Sequence, residues 1–189
     1  MKTIFWAFAE QTKFLTLWLL GVFPHGPGTW LRSCCLPFFL RSLGENTLIQ
    51  HGFRITNPEL VKIGSNCVFG QGVFITGGGG VRIGNWVGLG PDVKIWSVNH
   101  RFQDIGTPWL LQGYEKKEVV IEDDVWLGAN SFVMPGVTIH HGAIISAGTV
   151  VTRSVQPYAI FAGNPGRVIG WRKTPENIVS ASPIDDAVA

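Results

Sequence analysis

Residues 121–151 read IEDDVWLGANSFVMPGVTIHHGAIISAGTVV, and an aliphatic side chain returns at every sixth position: Ile121, Leu127, Val133, Ile139, Ile145 and Val151. A short fixed period marks a repeat architecture rather than a single amphipathic element. Six residues suffice for one short strand and one turn, with one aliphatic side chain turned inward. Three such units close a triangular coil of about 18 residues, and coils stack at roughly 4.8 Å. The expected fold is an all-β solenoid, a parallel β-helix. The period leaves its hand open, although the general rule for parallel crossovers favours a right-handed one.

The same beat runs earlier at Ile63, Phe69 and Ile75, slips by two residues across Gly77–Gly80, and resumes at Ile83, Leu89 and Ile95. It then stops for the polar stretch from Arg101 to Glu118, which predicts a loop protruding from the solenoid. Three segments follow: an apolar, helical N-terminal segment 1–45, a repeat domain 46–173 carrying the loop 101–120, and a tail 174–189 that lacks the beat.

With 189 residues, 46% of them hydrophobic, the chain can bury one core of ordinary size. A net charge of +2, with no basic run longer than Lys116-Lys117, excludes a nucleic-acid groove. Three cysteines, Cys34, Cys35 and Cys67, do not form a disulfide framework, and no Asn-x-Ser/Thr acceptor occurs. A reducing, cytoplasmic compartment fits both facts.

Residues 4–23 are strongly apolar, yet Glu10, Gln11 and Lys13 interrupt the run, so neither a spanning helix nor a cleaved signal is expected. Phe5, Phe8, Leu15, Leu19 and Val22 fall at helical spacing. That stripe suits either a helix lying in a membrane interface at the inner face of the cytoplasmic membrane or a cap on the solenoid's first rung. Pro24-His25-Gly26-Pro27-Gly28 breaks this helix from a second one.

The repeats IGSNCV, IGNWVG, LGPDVK, IEDDVW, LGANSF and VMPGVT, the pair Asn99-His100 at the loop's start, and the closing run AGNPGRVI at 162–169 together resemble the hexapeptide-repeat acyltransferases. The match is to bacterial sugar O-acetyltransferases, both of the galactoside and maltose type and of polysaccharide and O-antigen biosynthesis. The resemblance implies a left-handed parallel β-helix, acetyl-CoA as co-substrate, no metal, and a homotrimer with its active site between subunits.

Position by position, the resemblance makes His100 the general base, and imidazole is the side chain best able to take a proton near neutral pH. The partner that would orient its ring is open between Asp104 and Asp123. Asn99 and Trp126 match acceptor-site positions, an indole face being suited to sugar C–H groups. Ala129 matches the residue whose backbone N–H faces the thioester oxygen, and Ala147 and Gly148 the coil against which the pantetheine arm lies. Thr152, Arg153 and Arg167 match the nucleotide end, where arginine binds phosphate in pairs of hydrogen bonds. His51, His140 and His141 read as corner residues.

One departure concerns the acceptor. Gly77–Gly80 stands where galactoside-type enzymes carry an acidic residue, and Gly70 stands against a polar one. The galactoside pocket is not reproduced, which favours a saccharide or lipid-linked glycan acceptor of the polysaccharide-modifying kind. Two other readings stay open: N-acetylation of a nucleotide-linked aminosugar, and a non-catalytic β-helix scaffold. The loop with Trp109 and Tyr114 is a candidate to reach a neighbouring subunit.

Overall fold

The computed structural model describes residues 12–13, 15–24 and 26–172. Phe5, Phe8 and the tail beyond residue 172 lie outside them. The chain is a left-handed parallel β-helix of about six coils whose strands form three faces. The first face stacks Ser42–Leu43, Val61–Ile63, Val81–Ile83, Val119–Ile121 and Thr138–Ile139. The second stacks Leu48–Ile49, Val68–Phe69, Gly88–Leu89, Trp126–Leu127, Ile144–Ile145 and Ala159–Gly163, closed by the antiparallel Gly166–Trp171. The third stacks Arg54–Thr56, Phe74–Thr76, Lys94–Trp96, Phe132–Val133 and Val150–Val151.

The beat residues are the core. Ile63, Ile83, Ile121 and Ile139 point inward from the first face, Phe69, Leu89, Leu127 and Ile145 from the second, and Ile75, Ile95, Val133 and Val151 from the third, all buried. Each inward side chain stacks on its counterpart one coil away, so a residue's address is set by coil register.

The coil length of three hexapeptides holds only in the C-terminal half, where Trp126 pairs with Ile144. In the N-terminal half Lys62 pairs with Arg82 and Ile55 with Ile75, so each of those coils is longer by two residues. The two extra residues always enter at the corner leading from the third face back to the first. One coil spends them on the 3-10 turn Pro58–Leu60, the next on Gly77–Gly80. The coil after that uses the same corner for an antiparallel hairpin, Val98–His100 against Tyr114–Lys116. Residues added at one corner leave every strand in register.

Gly77–Gly80 is glycine for a steric reason. A Cβ at Gly77 would meet the Val61 side chain and the Thr56 and Asn57 carbonyls, one at Gly79 would overlap the Ser97 carbonyl, and Gly80 adopts φ +91°. The turn is wedged beneath the hairpin's root, where the Gly79 N–H donates to the buried Ser97 hydroxyl at 2.9 Å.

At the opposite pole, helix α1 (residues 15–22) and helix α2 (Pro27–Cys35) close the first coil. Leu20 is buried and Leu17 packs on the core, so α1 is a cap. The residues of the helical stripe face outward: Leu15, Leu19 and Val22 are 54%, 44% and 59% exposed. The helix thus has two apolar faces, and the sequence stripe picks out the uncovered one.

Arg32 of α2 pins this cap. It is fully buried, its Nε donates to the Ile49 carbonyl at 2.8 Å, and its Nη1 donates to the Leu20 and Phe23 carbonyls at 2.7 and 2.8 Å. Two of these acceptors are the unsatisfied carbonyls at the end of α1, which a cation stabilises. Arg32→Met should therefore cost about 3 kcal/mol, at roughly 1 kcal/mol per lost bond before the penalty of stranded carbonyls. Thermal denaturation should show Tm lowered by about 10 °C, with Arg32→Lys recovering only part; an unchanged Tm would remove Arg32 as the pin.

Candidate active site

His100 ends the first strand of the hairpin, one step beyond the third face, where the solenoid wall gives way to an excursion of its own. Its imidazole is held by aromatic walls rather than by a carboxylate. Trp109 stands edge-on at 4.8 Å between ring centroids, and Tyr114, the cross-strand partner of His100, lies at 4.5 Å. Trp109 and Tyr114, expected from sequence to reach a neighbour, flank this ring and remain 54% and 57% exposed.

His100 Nδ1 is buried and has no hydrogen-bond partner among the described residues. Neither sequence candidate orients it. The Asp104 carboxylate accepts the Gly106 N–H at 2.9 Å within its own loop, and hydrogen bonds from Thr107 and Gly106 hold it below the usual carboxylate range. Asp123 accepts the Asn85 N–H at 2.7 Å on another corner. Asn99 turns back on the chain, its Oδ1 accepting the His100 N–H at 3.0 Å.

The other expected residues stand elsewhere on the prism. Trp126 projects from the second face, 56% exposed, over the bare Cα of Gly88. Ala129, Ala147 and Gly148 stack on the corner between the second and third faces, joined by the Gly148 N–H donating to the Ala129 carbonyl at 2.8 Å. The N–H groups of Ala129 and Ala147 donate to no carbonyl among the described residues. Arg167 pairs with Ala162 beside that corner, whereas Thr152 and Arg153 lie exposed across the third face at its far edge.

A single chain therefore gathers the Ala129, Ala147, Gly148 and Arg167 group at one corner and His100 at another. Trp109 and Tyr114 are residues of this site that the repeat pattern could not reveal, because they sit in the excursion where the beat is silent.

His140, His141 and Cys67 have structural surroundings. His140 Nδ1 meets Glu122 at 3.0 Å, and Glu122 also accepts the His141 N–H at 2.9 Å. The His141 ring packs on Tyr158. Cys67 is buried where the corner after the first face enters the second, and burial pushes its thiol up, the wrong direction for a nucleophile. Among the described residues no three His, Cys, Asp or Glu side chains converge on a metal position.

Known proteins share both the repeat and its stacking. Residues 118–153 match the family described as bacterial transferase hexapeptide (six repeats). The chain is 36% identical over 131 residues to a probable macrolide acetyltransferase of Lysinibacillus sphaericus, covering 69% of each chain. It is 35% identical over 121 residues to a chloramphenicol acetyltransferase of Agrobacterium fabrum, covering 64% of this chain and 56% of that one. It thus spans little more than half of that second relative's length.

In three dimensions it is similar to a hexapeptide-repeat-containing acetyltransferase of Vibrio cholerae solved with acetyl coenzyme A. The TM-score is 0.79 at 25% identity, with 88% of both chains covered. A solenoid of this period, with such relatives, defines a class: the chain belongs to the hexapeptide-repeat acetyltransferases and is an acyltransferase.

The aromatic walls make a geometric prediction. Ring currents from Trp109 and Tyr114 should displace the His100 ring-proton resonances in NMR spectra. Trp109→Ala should return them towards their exposed positions, whereas Trp126→Ala, on another face, should leave them in place. Equal responses to both substitutions would contradict the placement.

Proposed function

We propose that the chain transfers the acetyl group of acetyl-CoA to a saccharide hydroxyl on a glycan precursor, with His100 as general base. The observation that carries this reading is the His100 site: an imidazole set between two rings, with its Nδ1 uncommitted to any carboxylate among the described residues. His100 takes the hydroxyl proton as the new C–O bond forms at the thioester carbonyl. The backbone N–H of Ala129 supports the oxyanion, and the proton passes to the departing thiolate as the C–S bond breaks. No covalent enzyme intermediate is required.

The proposed assembly is a homotrimer, supported by the outward rows of the three faces. The second face turns out Leu48, Val68, Gly88, Trp126 and Ile144, and the third turns out Phe74, Phe132 and Val150 among Arg54 and Lys94. The first face turns out Ser42, Lys62, Arg82, Val120 and Thr138. Two adjoining apolar faces on a triangular prism suit a heterologous contact that closes after three copies. Such a contact would bring the corner bearing Ala129, Ala147, Gly148 and Arg167 of one copy towards a neighbour's His100, with Asn99 and Trp126 serving the acceptor and Thr152 and Arg153 the nucleotide.

Thiol release from acetyl-CoA across sugars, nucleotide-linked aminosugars, lipid-linked glycans, a macrolide and chloramphenicol tests the reading. The last two are included because the relatives' names favour a second acceptor class. The expected result is turnover with a saccharide hydroxyl, reduced about a hundredfold or more by His100→Ala. Turnover confined to an amine or to an antibiotic would replace the acceptor, and an unaffected His100→Ala would remove the base. A scaffold would gain no thermal stability from coenzyme A, whereas a binder at saturation gains about 3 kcal/mol.

Peripheral membrane contact through α1 belongs to the same proposal. No helix among the described residues is long and apolar enough to cross a membrane, while Leu15, Trp18, Leu19 and Val22 lie uncovered beside the cap. Leu15→Glu with Val22→Glu should abolish sedimentation with vesicles and leave Tm unchanged. Wild-type protein that never sediments would overturn the contact.

A further inference from the structure

Cations that are scattered along the sequence are gathered by the coil period into one column. Lys62 and Arg82, one coil apart, are direct cross-strand partners on the outward side of the first face, and Arg41 stands just before Ser42, which pairs with Lys62 one coil below. Lys116 arrives from the hairpin. These four cations line a groove of about 540 Å³ at the corner between the third and first faces, with Gly78, Gly79 and Gly80 contributing backbone only.

Among the described residues Glu118 is the one carboxylate in the lining, and it is taken up by Arg82 Nε at 3.1 Å. Arg41, Lys62 and Lys116 have no ion-pair partner among the described residues. Four cations against one carboxylate give this groove a larger positive excess than the +2 of the entire chain. Like charges on directly opposed strand positions repel, so the stacked pair Lys62–Arg82 is a cost within the free protein that an anion would offset.

The lining also fits the shape of the anion. Guanidinium groups and ammonium groups converge on a floor of glycine backbone, with Leu60 the one apolar side chain, a chemistry suited to a compact, multiply charged oxyanion rather than to an apolar chain. The hairpin links the groove to His100, because Lys116 lines the groove and belongs to the same two-stranded ladder. Lys116 lies opposite Val98, and His100 lies opposite Tyr114 in the same ladder. Positions two apart on a strand share a side and are separated by roughly 7 Å at about 3.4 Å per residue. The Val98 side chain faces Gly78, which places that side of the hairpin towards the groove.

We propose that this groove is an anion site for the phosphate or diphosphate of the acceptor, so that the acetylated saccharide is a phosphate-linked sugar. The inference rests on the acetyltransferase reading for its purpose, while the anion site itself stands on the cationic column. The shared chemistry is a phosphate ester, carried either by a soluble nucleotide-type leaving group or by a lipid headgroup.

Isothermal titration of inorganic pyrophosphate at low salt tests the site in three full-length proteins: wild type, Arg153→Ala/Arg167→Ala, which removes the arginines proposed for the nucleotide end, and a groove variant that adds Arg41→Ala/Lys62→Ala to that pair. Pyrophosphate should bind the Arg153/Arg167 variant, and the added groove substitutions should weaken that binding at least tenfold. Both groove residues are exposed, and removing their repulsion should leave Tm equal or higher, which separates lost binding from lost folding. Undiminished binding in the groove variant, or none by wild type at millimolar pyrophosphate, overturns the proposal.

Cosedimentation with phosphatidylglycerol and with phosphatidylcholine vesicles distinguishes the sources. Loss of phosphatidylglycerol binding together with pyrophosphate binding in the groove variant identifies a lipid headgroup, and loss of pyrophosphate binding alone identifies a soluble phosphate ester. Thermal stabilisation by coenzyme A, measured in the same proteins, keeps the two readings apart. If coenzyme A binds and the groove does not, only the acceptor inference falls; if the groove binds and coenzyme A does not, the acetyltransferase mechanism falls while the anion site remains.

Discussion

Register between coils is the constraint on which everything else in this molecule depends. Every inward Ile, Val, Leu or Phe is buried by the residue above and the residue below it, and every strand satisfies its backbone through the same neighbours. A length change inside a strand would turn the whole column inside out. Variation is therefore driven to the corners, and here to one corner above all. The 3-10 turn at Pro58–Leu60, the glycine turn and the hairpin are three successive answers to the same freedom. The proposed base and the cationic groove both lie at that corner.

The six-residue beat made the solenoid legible because it reports the one property that register demands, an aliphatic side chain at each inward position. It could not report hand, which came from resemblance, and it reported the longer coils only where the beat slips by two residues across Gly77–Gly80. Ile55 sits on the third face below Ile75, yet the two residues added at Pro58–Leu60 are invisible without the pairing itself. The N-terminal stripe illustrates a different limit: helical spacing identifies an apolar face but not which side it turns to the core. Leu20 is buried while Leu19 is not, and only the packing against Phe53 and Arg32 decides that.

The candidate site could be proposed from sequence where the motif coincides with a corner, as at Asn99-His100, and not where it depends on contacts across the excursion. Trp109 and Tyr114 carry no periodic signal, and their role follows from an antiparallel ladder that returns Tyr114 opposite His100. The cationic column is hidden for the converse reason. Arg41, Lys62, Arg82 and Lys116 are far apart in sequence and close in space because the coil period, not local spacing, places them. A linear scan for basic runs has no sensitivity to a period as long as a whole coil.

The two halves of the solenoid divide the proposed chemistry along the same physical line. From Ile121 to Val151 the coils hold to the shorter period of three hexapeptides, and this regular wall carries the corner of Ala129, Ala147 and Gly148, where the Ala129 and Ala147 N–H groups donate to no carbonyl among the described residues. A donor common to a family requires a constant surface, and strict repetition supplies one. The earlier coils, with their altered corner, carry His100, the glycine turn and the groove. Acceptors differ between relatives whose names include a macrolide and chloramphenicol, and a corner that tolerates insertion without disturbing register is where such differences can accumulate at least cost to the fold.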